Sequence, residues 1–207
     1  MINFRADQIG TIVGKRGEGK SYLLKKWVNA SAKFVLYDTL SEHNIDGAIV
    51  AHNYNDFYNA LRNGSKKIIY RPRLASPADF DAVCKCLYIV GNYTLFVDEA
   101  EQVMPNNQMQ ENAKIYVNHG RHRKCGMVCA TRRCAAMDKL PISQSDHIIV
   151  FKTILPNDKD WLSEFVGPII HRAWVTDKMG RDISTVKVAD HGFLYNNGRT
   201  TVVHAPI

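Results

Sequence analysis

The chain has 207 residues, enough for one α/β domain with a full hydrophobic core and too few for a second large one. Its 45% apolar and 23% charged content is that of a globular protein, and no apolar run approaches the roughly 20 residues that cross a bilayer. Five cysteines, an odd number, argue for reduced thiols over a disulfide scaffold, and a net charge of +7 favours polyanionic partners. The N-terminal MINFRADQIG lacks a signal-peptide pattern, so a cytoplasmic location is expected.

Apolar runs alternate with helical stretches along the chain, the pattern of a parallel sheet covered by helices. Ile9–Val13 suits a buried strand, and Leu23, Leu24, Trp27 and Val28 then recur at helical spacing. Lys33–Tyr37 reads as a second strand ending at Asp38–Thr39, and 55–62 as a short helix stopped by Asn63–Gly64. Lys67–Tyr70 is another strand. Ser76 caps a helix that has Pro77 in its first turn and runs to about Val90. Tyr93–Val97 is a strand closing on Asp98–Glu99, followed by a helix over about 107–119. Strands are expected at 126–130 and 147–151, with a helix over 157–165 between the second of these and the C-terminal segment. Within 192–207, Asn197–Gly198 between two β-prone runs predicts a hairpin. No internal repeat or long linker interrupts the chain, so a single domain over 1–207 is expected.

Between the first strand and the first helix lies GKRGEGKS, a complete GxxxxGKS phosphate-binding loop over Gly14–Ser21. Gly14, Gly17 and Gly19 let the backbone turn tightly and aim its N–H groups at phosphates. Lys20 reaches β/γ oxygens, and the Ser21 hydroxyl can ligate Mg²⁺. A strand, a glycine loop and a helix N-terminus together make an anion site. The nucleotide contacts expected of this segment fall on Gly14, Lys15, Arg16, Gly17, Glu18, Gly19, Lys20, Ser21 and Tyr22.

The run Thr94–Glu99 supplies the second part. An apolar strand delivers Asp98 to the sheet's carboxyl edge, where phosphate-loop proteins place the acid that supports Mg²⁺. Glu99 can accept a proton from water attacking a γ-phosphate, which is hydrolase equipment that a small-molecule kinase does not need. Glu101, in the same DEAE run, reads as solvated surface.

The third part is the basic turn Gly120–Gly126, then an apolar run, then Thr131–Arg132–Arg133. Each arginine here has three readings: a catalytic finger, a phosphate contact on nucleic acid, or a solvated charge at a helix C-terminus.

Taken in order, GKRGEGKS, TLFVDEAE, GRHRKCGMVCATRR and LPISQSDHIIVFKT resemble the FtsK–HerA superfamily of ring-forming DNA-translocating ATPases. Within it the chain looks most like the small genome-packaging ATPases of membrane-containing icosahedral viruses, of the turreted archaeal type. The short length and the ending VVHAPI point the same way. The likeness is strongest over 9–21 and 94–153 and weak over about 40–90. It implies a RecA-like, ASCE-type P-loop fold and hydrolysis of ATP with Mg²⁺ held by Ser21 and Asp98. It also implies catalysis by Lys20 and Glu99, completed by Arg121 of a neighbouring subunit, with Arg123 as the fallback. The partners implied are genomic DNA, a homo-oligomeric ring of six and a capsid or membrane vertex protein. The location implied is the host cytoplasm or the packaging vertex. The family ends the strand before Arg132 in Thr-Gln, with the glutamine sensing the γ-phosphate; this chain has Thr131–Arg132, so either Arg132 senses it as a cation or that role is lost. A filamentous-phage morphogenesis or secretion motor and a small-molecule kinase are the rival readings, together with a non-hydrolysing assembly module.

Other clusters carry less. His119, His122, Cys125, Cys129 and Cys134 do not repeat a zinc-finger or ribbon spacing. Trp27 reads as core, Trp161 and Trp174 as core ahead of a subunit interface, and Lys66, Lys67, Arg71 and Arg73 as a solvated strand edge ahead of a DNA-facing patch. His204–Ala205–Pro206 would approach the nucleotide base if the resemblance extends that far.

Overall fold

Neighbouring residues in the strands pack on opposite sides, as the two-residue side-chain repeat dictates. In the computed structural model, which describes residues 4–206, Ile12, Leu36 and Phe96 face one hydrophobic layer, while Val13, Val35 and Val97 face the other. Strands buried on both faces read as continuous apolar runs, which is why they were legible.

Among the described residues the sheet has nine strands. β1 (Ile9–Val13), β2 (Phe34–Tyr37), β3 (Ile49–Ala51), β4 (Lys67–Tyr70), β5 (Thr94–Val97), β6 (Gly126–Thr131) and β7 (His147–Val150) are parallel. β8 (Phe193–Asn196) and β9 (Thr201–His204) continue the sheet antiparallel as the C-terminal hairpin. The order across the sheet is β3-β4-β2-β5-β6-β1-β7-β8-β9. α1 (Lys20–Ala30) covers one face through Leu23, Leu24, Trp27 and Val28. The other face is packed by α2 (Tyr54–Arg62), α3 (Pro77–Val90), α4 (Glu111–His119), α5 (Lys139–Ser143) and α6 (Pro156–Val166). This is the α/β fold with a mainly parallel sheet that the alternating pattern predicts.

Several ends differ from expectation for local reasons. The helix expected from 107 begins at Glu111, because Asn107 adopts a left-handed φ of 58° and Pro105 is held in a bridge with Met137. β3 went unread, since Ile49 and Val50 are 48% and 40% exposed on a three-residue edge strand with no alternation to detect. The hairpin turns through four residues, with the Asn197 side chain accepting from the N–H groups of Arg199 and Thr200. Ser76 caps α3 as expected, its hydroxyl accepting from the Asp79 N–H at 3.2 Å. Trp27 and Trp161 are core, and Trp174 is half-buried against it. All five cysteines are free, and among the described residues no metal-holding cluster of His, Cys, Asp and Glu forms.

Parallel pairing has one consequence for chemistry. β1, β2, β5 and β6 all end on the same edge, in the register Tyr37↔Val97, Val97↔Cys129 and Val13↔Thr131. The residues that follow those ends, Gly14, Asp38, Asp98 and Arg132, are therefore brought together although up to 118 positions separate them (132 − 14).

Candidate active site

The loop after β1 is anchored at its start. The Gly14 N–H donates to the Thr131 carbonyl at 3.2 Å, and that of Lys15 to Lys152 at 3.1 Å. Gly14 requires glycine twice over: its φ is 156°, and a Cβ there would sit 2.7 Å from the Phe151 Cβ. Gly19, at φ 112°, leads into α1, whose first turn holds no carboxylate to compete with an anion. Lys20 is 5% exposed and donates its Nζ to the Lys15 carbonyl at 2.9 Å across the loop. Burial lowers its pKa, partly offset by the nearby Glu99, Asp98 and Glu101.

A cleft of about 270 Å³ opens over this loop, lined by Arg16, Gly17, Gly19, Lys20, Ser21, Tyr22, Glu42, Glu99 and Arg132. Most of the expected nucleotide contacts meet here. Gly14 lies beneath, against Phe151. Lys15 and Glu18 turn aside and pair with each other at 3.2 Å. Glu18 borders a second cleft of about 210 Å³ with Lys152, Trp174, Asp182 and Asp190. His204 is stacked on Phe193 at 5.1 Å, and Phe193 packs at a tilt against Phe151 at 5.4 Å, so two aromatic rings stand between it and the phosphate loop.

Asp98 and Glu99 leave β5 through a sharp turn, Glu99 taking a left-handed φ of 53° that non-glycine residues rarely adopt. The turn sends the two carboxylates to different partners. Asp98 is 2% exposed; its Oδ1 accepts from the Glu99 N–H at 3.1 Å, and its Oδ2 lies 2.7 Å from His43 Nε2. Glu99 is 6% exposed and pairs with Arg132, Oε1 to Nε 2.6 Å. Burial raises the Glu99 pKa to about 7, helped by the charges of Glu101 and Asp98 and opposed by Arg132 and Lys20.

Two expectations are corrected here. Glu101 is not solvated surface: its Oε1 accepts from the Arg132 N–H at 3.2 Å, and its Oε2 is buried with no hydrogen-bond partner. The short 3-10 turn Ala100–Gln102 that follows Glu99 brings the side chain to the end of β6, at the Arg132 N–H, instead of releasing it to solvent. Arg71 is not a solvated edge charge either; its Nε donates to Asp38 at 2.9 Å, with only 14% of its side chain exposed.

The loop after β2 is the part that sequence reasoning missed. Asp38 accepts from the Glu42 and His43 N–H groups at 3.1 Å each, curling the loop so that Glu42 enters the phosphate cleft and His43 reaches Asp98. Burial opposes a charge on His43, but its hydrogen bond to Asp98 and the carboxylates of Asp98, Asp38 and Glu42 prevail and raise its pKa above the ordinary histidine value. A short apolar strand ending in Asp was the one available signal.

The donors fit Mg²⁺. A hydroxyl (Ser21) and carboxylates are hard oxygen ligands, and Mg²⁺ is usually bound by one or two of these plus substrate phosphates, not by an all-protein cage. An isolated three-carboxylate cluster is therefore not required.

Arg121 lies away from all of this. It sits before β6, on the edge opposite the phosphate loop, with 69% of its side chain exposed and, among the described residues, a single ion-pair contact, to Asp7 at 3.8 Å. It cannot complete the site of its own chain. Arg123 is engaged elsewhere, donating to the Tyr88 and Ile89 carbonyls at 3.2 and 2.6 Å and so closing the C-terminus of α3.

No family model matches the sequence, and no curated protein matches it. Solved structures do. The genome packaging NTPase B204 of Sulfolobus turreted icosahedral virus 2, in complex with ATP-gammaS, superposes with a TM-score of 0.77 at 19% identity, covering 99% of this chain and 100% of that one. B204 of Sulfolobus turreted icosahedral virus, a DNA-packaging ATPase, gives 0.73 at 20% identity over 99% of this chain and 100% of that one. ATPases 2 and 3 of EssC from Geobacillus thermodenitrificans give 0.53 at 10% identity over 97% of this chain but 40% of that one. The chain thus shares the fold of these solved ATPases, a mainly parallel sheet flanked by helices and closed by a C-terminal antiparallel hairpin.

Proposed function

We propose that this protein is an ATPase that hydrolyses ATP with Mg²⁺ and uses the energy to move DNA, loading a viral genome into a preformed capsid. The observation that carries the hydrolase half is the convergence of Lys20, Glu99 and Arg132 in one cleft over a glycine loop at a helix N-terminus. The loop N–H groups and Lys20 bind the phosphates. Ser21 and Asp98 would hold Mg²⁺, which when bound neutralises charge on the phosphates. Glu99 takes the proton of the attacking water; a buried carboxylate with a pKa of about 7 is suited to that task near neutral pH. Arg132 holds Glu99 and faces the γ-phosphate position in place of a neutral amide.

The DNA half is supported by the likeness to the packaging ATPases and by the net charge of +7. The position of Arg121 supports a ring of copies, six in the family, in which one subunit's finger serves its neighbour's nucleotide. Such a ring would act in the host cytoplasm or at the capsid vertex, against a capsid or membrane vertex protein. Among the described residues no helix is long and apolar enough to cross a membrane.

The test is ATP hydrolysis with and without DNA. Stimulation by DNA is expected, with turnover reduced at least about 100-fold in both Lys20→Ala and Glu99→Gln. Glu99→Gln should still bind ATP. Full activity in Glu99→Gln would remove the assigned base, and phosphorylation of an added small acceptor would favour a kinase.

A further inference from the structure

The turn between Asp98 and Glu99 is gripped from both sides, and the sheet order explains how. β5 lies between β2 and β6. From β6, Arg132 holds Glu99; from the loop after β2, His43 holds Asp98. Only the first of these belongs to the machinery already described.

The second grip is built in depth. His43 is 4% exposed and Asp98 2%, so their 2.7 Å contact is sheltered from water. Asp38, fully buried as a side chain, fixes the loop by accepting from two of its N–H groups. Arg71, at the end of β4, locks Asp38 through its Nε at 2.9 Å and also donates to the His43 carbonyl. Thr39 closes the other side, its hydroxyl donating to the Asp98 carbonyl at 3.2 Å. Both the backbone and the carboxylate of Asp98 are thus held by one six-residue loop, 38–43, which also places Glu42 in the phosphate cleft. Ser41 takes a left-handed φ of 57° to make that curl, a conformation kept where the surroundings enforce it.

We infer that His43 is the positioning residue of the metal carboxylate. Its Nε2–H, together with the Glu99 N–H, fixes one rotamer of Asp98, the carboxylate that would hold Mg²⁺, and the Asp38–Arg71 pair fixes the backbone that carries the imidazole. Partners of this kind orient metal-binding carboxylates, and their loss costs about 10–100-fold in metal affinity or activity. Without His43, Asp98 Oδ2 would be left buried and unpaired, so the carboxylate would turn toward whatever donor it could find.

The inference rests on the ATPase reading above, and the experiment separates the two. A fluorescent ATP analogue (the N-methylanthraniloyl derivative) is titrated into the full chain over a range of free Mg²⁺, with an EDTA arm, so that binding is read without turnover. In His43→Ala the Mg²⁺ concentration giving half of the affinity gain should rise about tenfold or more, with affinity in EDTA unchanged within about twofold. His43→Gln, which keeps an N–H donor, should recover most of the loss. Hydrolysis by His43→Ala should approach the unsubstituted rate when Mg²⁺ is raised by the same factor. If the alanine variant does not fold, His43→Leu, which fills the space without a donor, carries the same expectation. An unshifted Mg²⁺ dependence in a folded variant, or an equal loss of affinity in EDTA, overturns the role of His43 alone. No Mg²⁺ effect on nucleotide binding by the unsubstituted chain overturns the ATPase reading with it.

Discussion

Arg132 Nε stands 2.6 Å from Glu99 Oε1, so the side chain expected to sense the γ-phosphate holds the side chain expected to activate water. The contact follows from strand order. β6 lies between β5 and β1, so the residue after β6 has Glu99 on one side and the phosphate loop on the other. A guanidinium has several donors in a fixed fork and can be shared between a carboxylate and a phosphate in a way that a glutamine amide cannot. The departure from Thr-Gln is therefore accompanied by an ion pair with Glu99.

If Arg132 meets the γ-phosphate, the advantage of ATP over ADP should depend on it. A hydrogen bond to a charged group contributes about 1.5–3 kcal/mol, or about tenfold or more in affinity. Arg132→Ala is expected to narrow the ratio of ATP-analogue to ADP affinity by that factor, as measured by calorimetry with a non-hydrolysable analogue. Arg132→Gln should retain part of it. An unchanged ratio in Arg132→Ala would show that the guanidinium serves Glu99 alone.

The same cluster sets a pH dependence whose sign can be worked out. Glu99 must be ionised to accept a proton, and in the free protein its pKa is raised to about 7. The profile of kcat/KM, which reports the free enzyme, should therefore fall on the acid side with a midpoint near 7. The negative charge of Glu101 helps to raise that value and the positive charge of Arg132 opposes the rise. Glu101→Gln should move the acid limb to lower pH, and Arg132→Ala should move it to higher pH. Movement in the same direction for both variants would mean that another group sets the limb.

Much of this was legible because P-loop chemistry is written locally. Gly14–Ser21 carries its own spacing, and the run into Asp98–Glu99 is apolar on both faces, so strand and acid are read together. Glu101 was misread because only the fold shows that the turn after Glu99 returns its side chain beneath Arg132. His43 and Arg71 were not legible as site residues. Their relation to Asp98 and Asp38 exists only once β2, β4 and β5 are adjacent, a pairing across 55 positions for His43 and Asp98 that no local spacing encodes. The order of the strands places them; periodicity does not.

Arg121 yields the last prediction because its own chain gives it so little to do. Its contact to Asp7 is exposed and 3.8 Å long, the kind of surface pair that contributes about 0–1 kcal/mol. Arg121→Ala should therefore leave the melting temperature and ATP binding nearly unchanged while reducing hydrolysis by the assembled protein about 1,000-fold, the low end of what an arginine finger supplies. Because the side chain lies on the sheet edge opposite the phosphate loop, the defect should be complemented between chains. Mixing Arg121→Ala subunits with Glu99→Gln subunits creates interfaces in which an intact Glu99 meets an intact Arg121, and hydrolysis should reappear, peaking near equal proportions. Absence of recovery at every ratio, under conditions where the two variants are shown to co-assemble, would exclude a finger acting in trans and leave Arg121 to the polyanion surface.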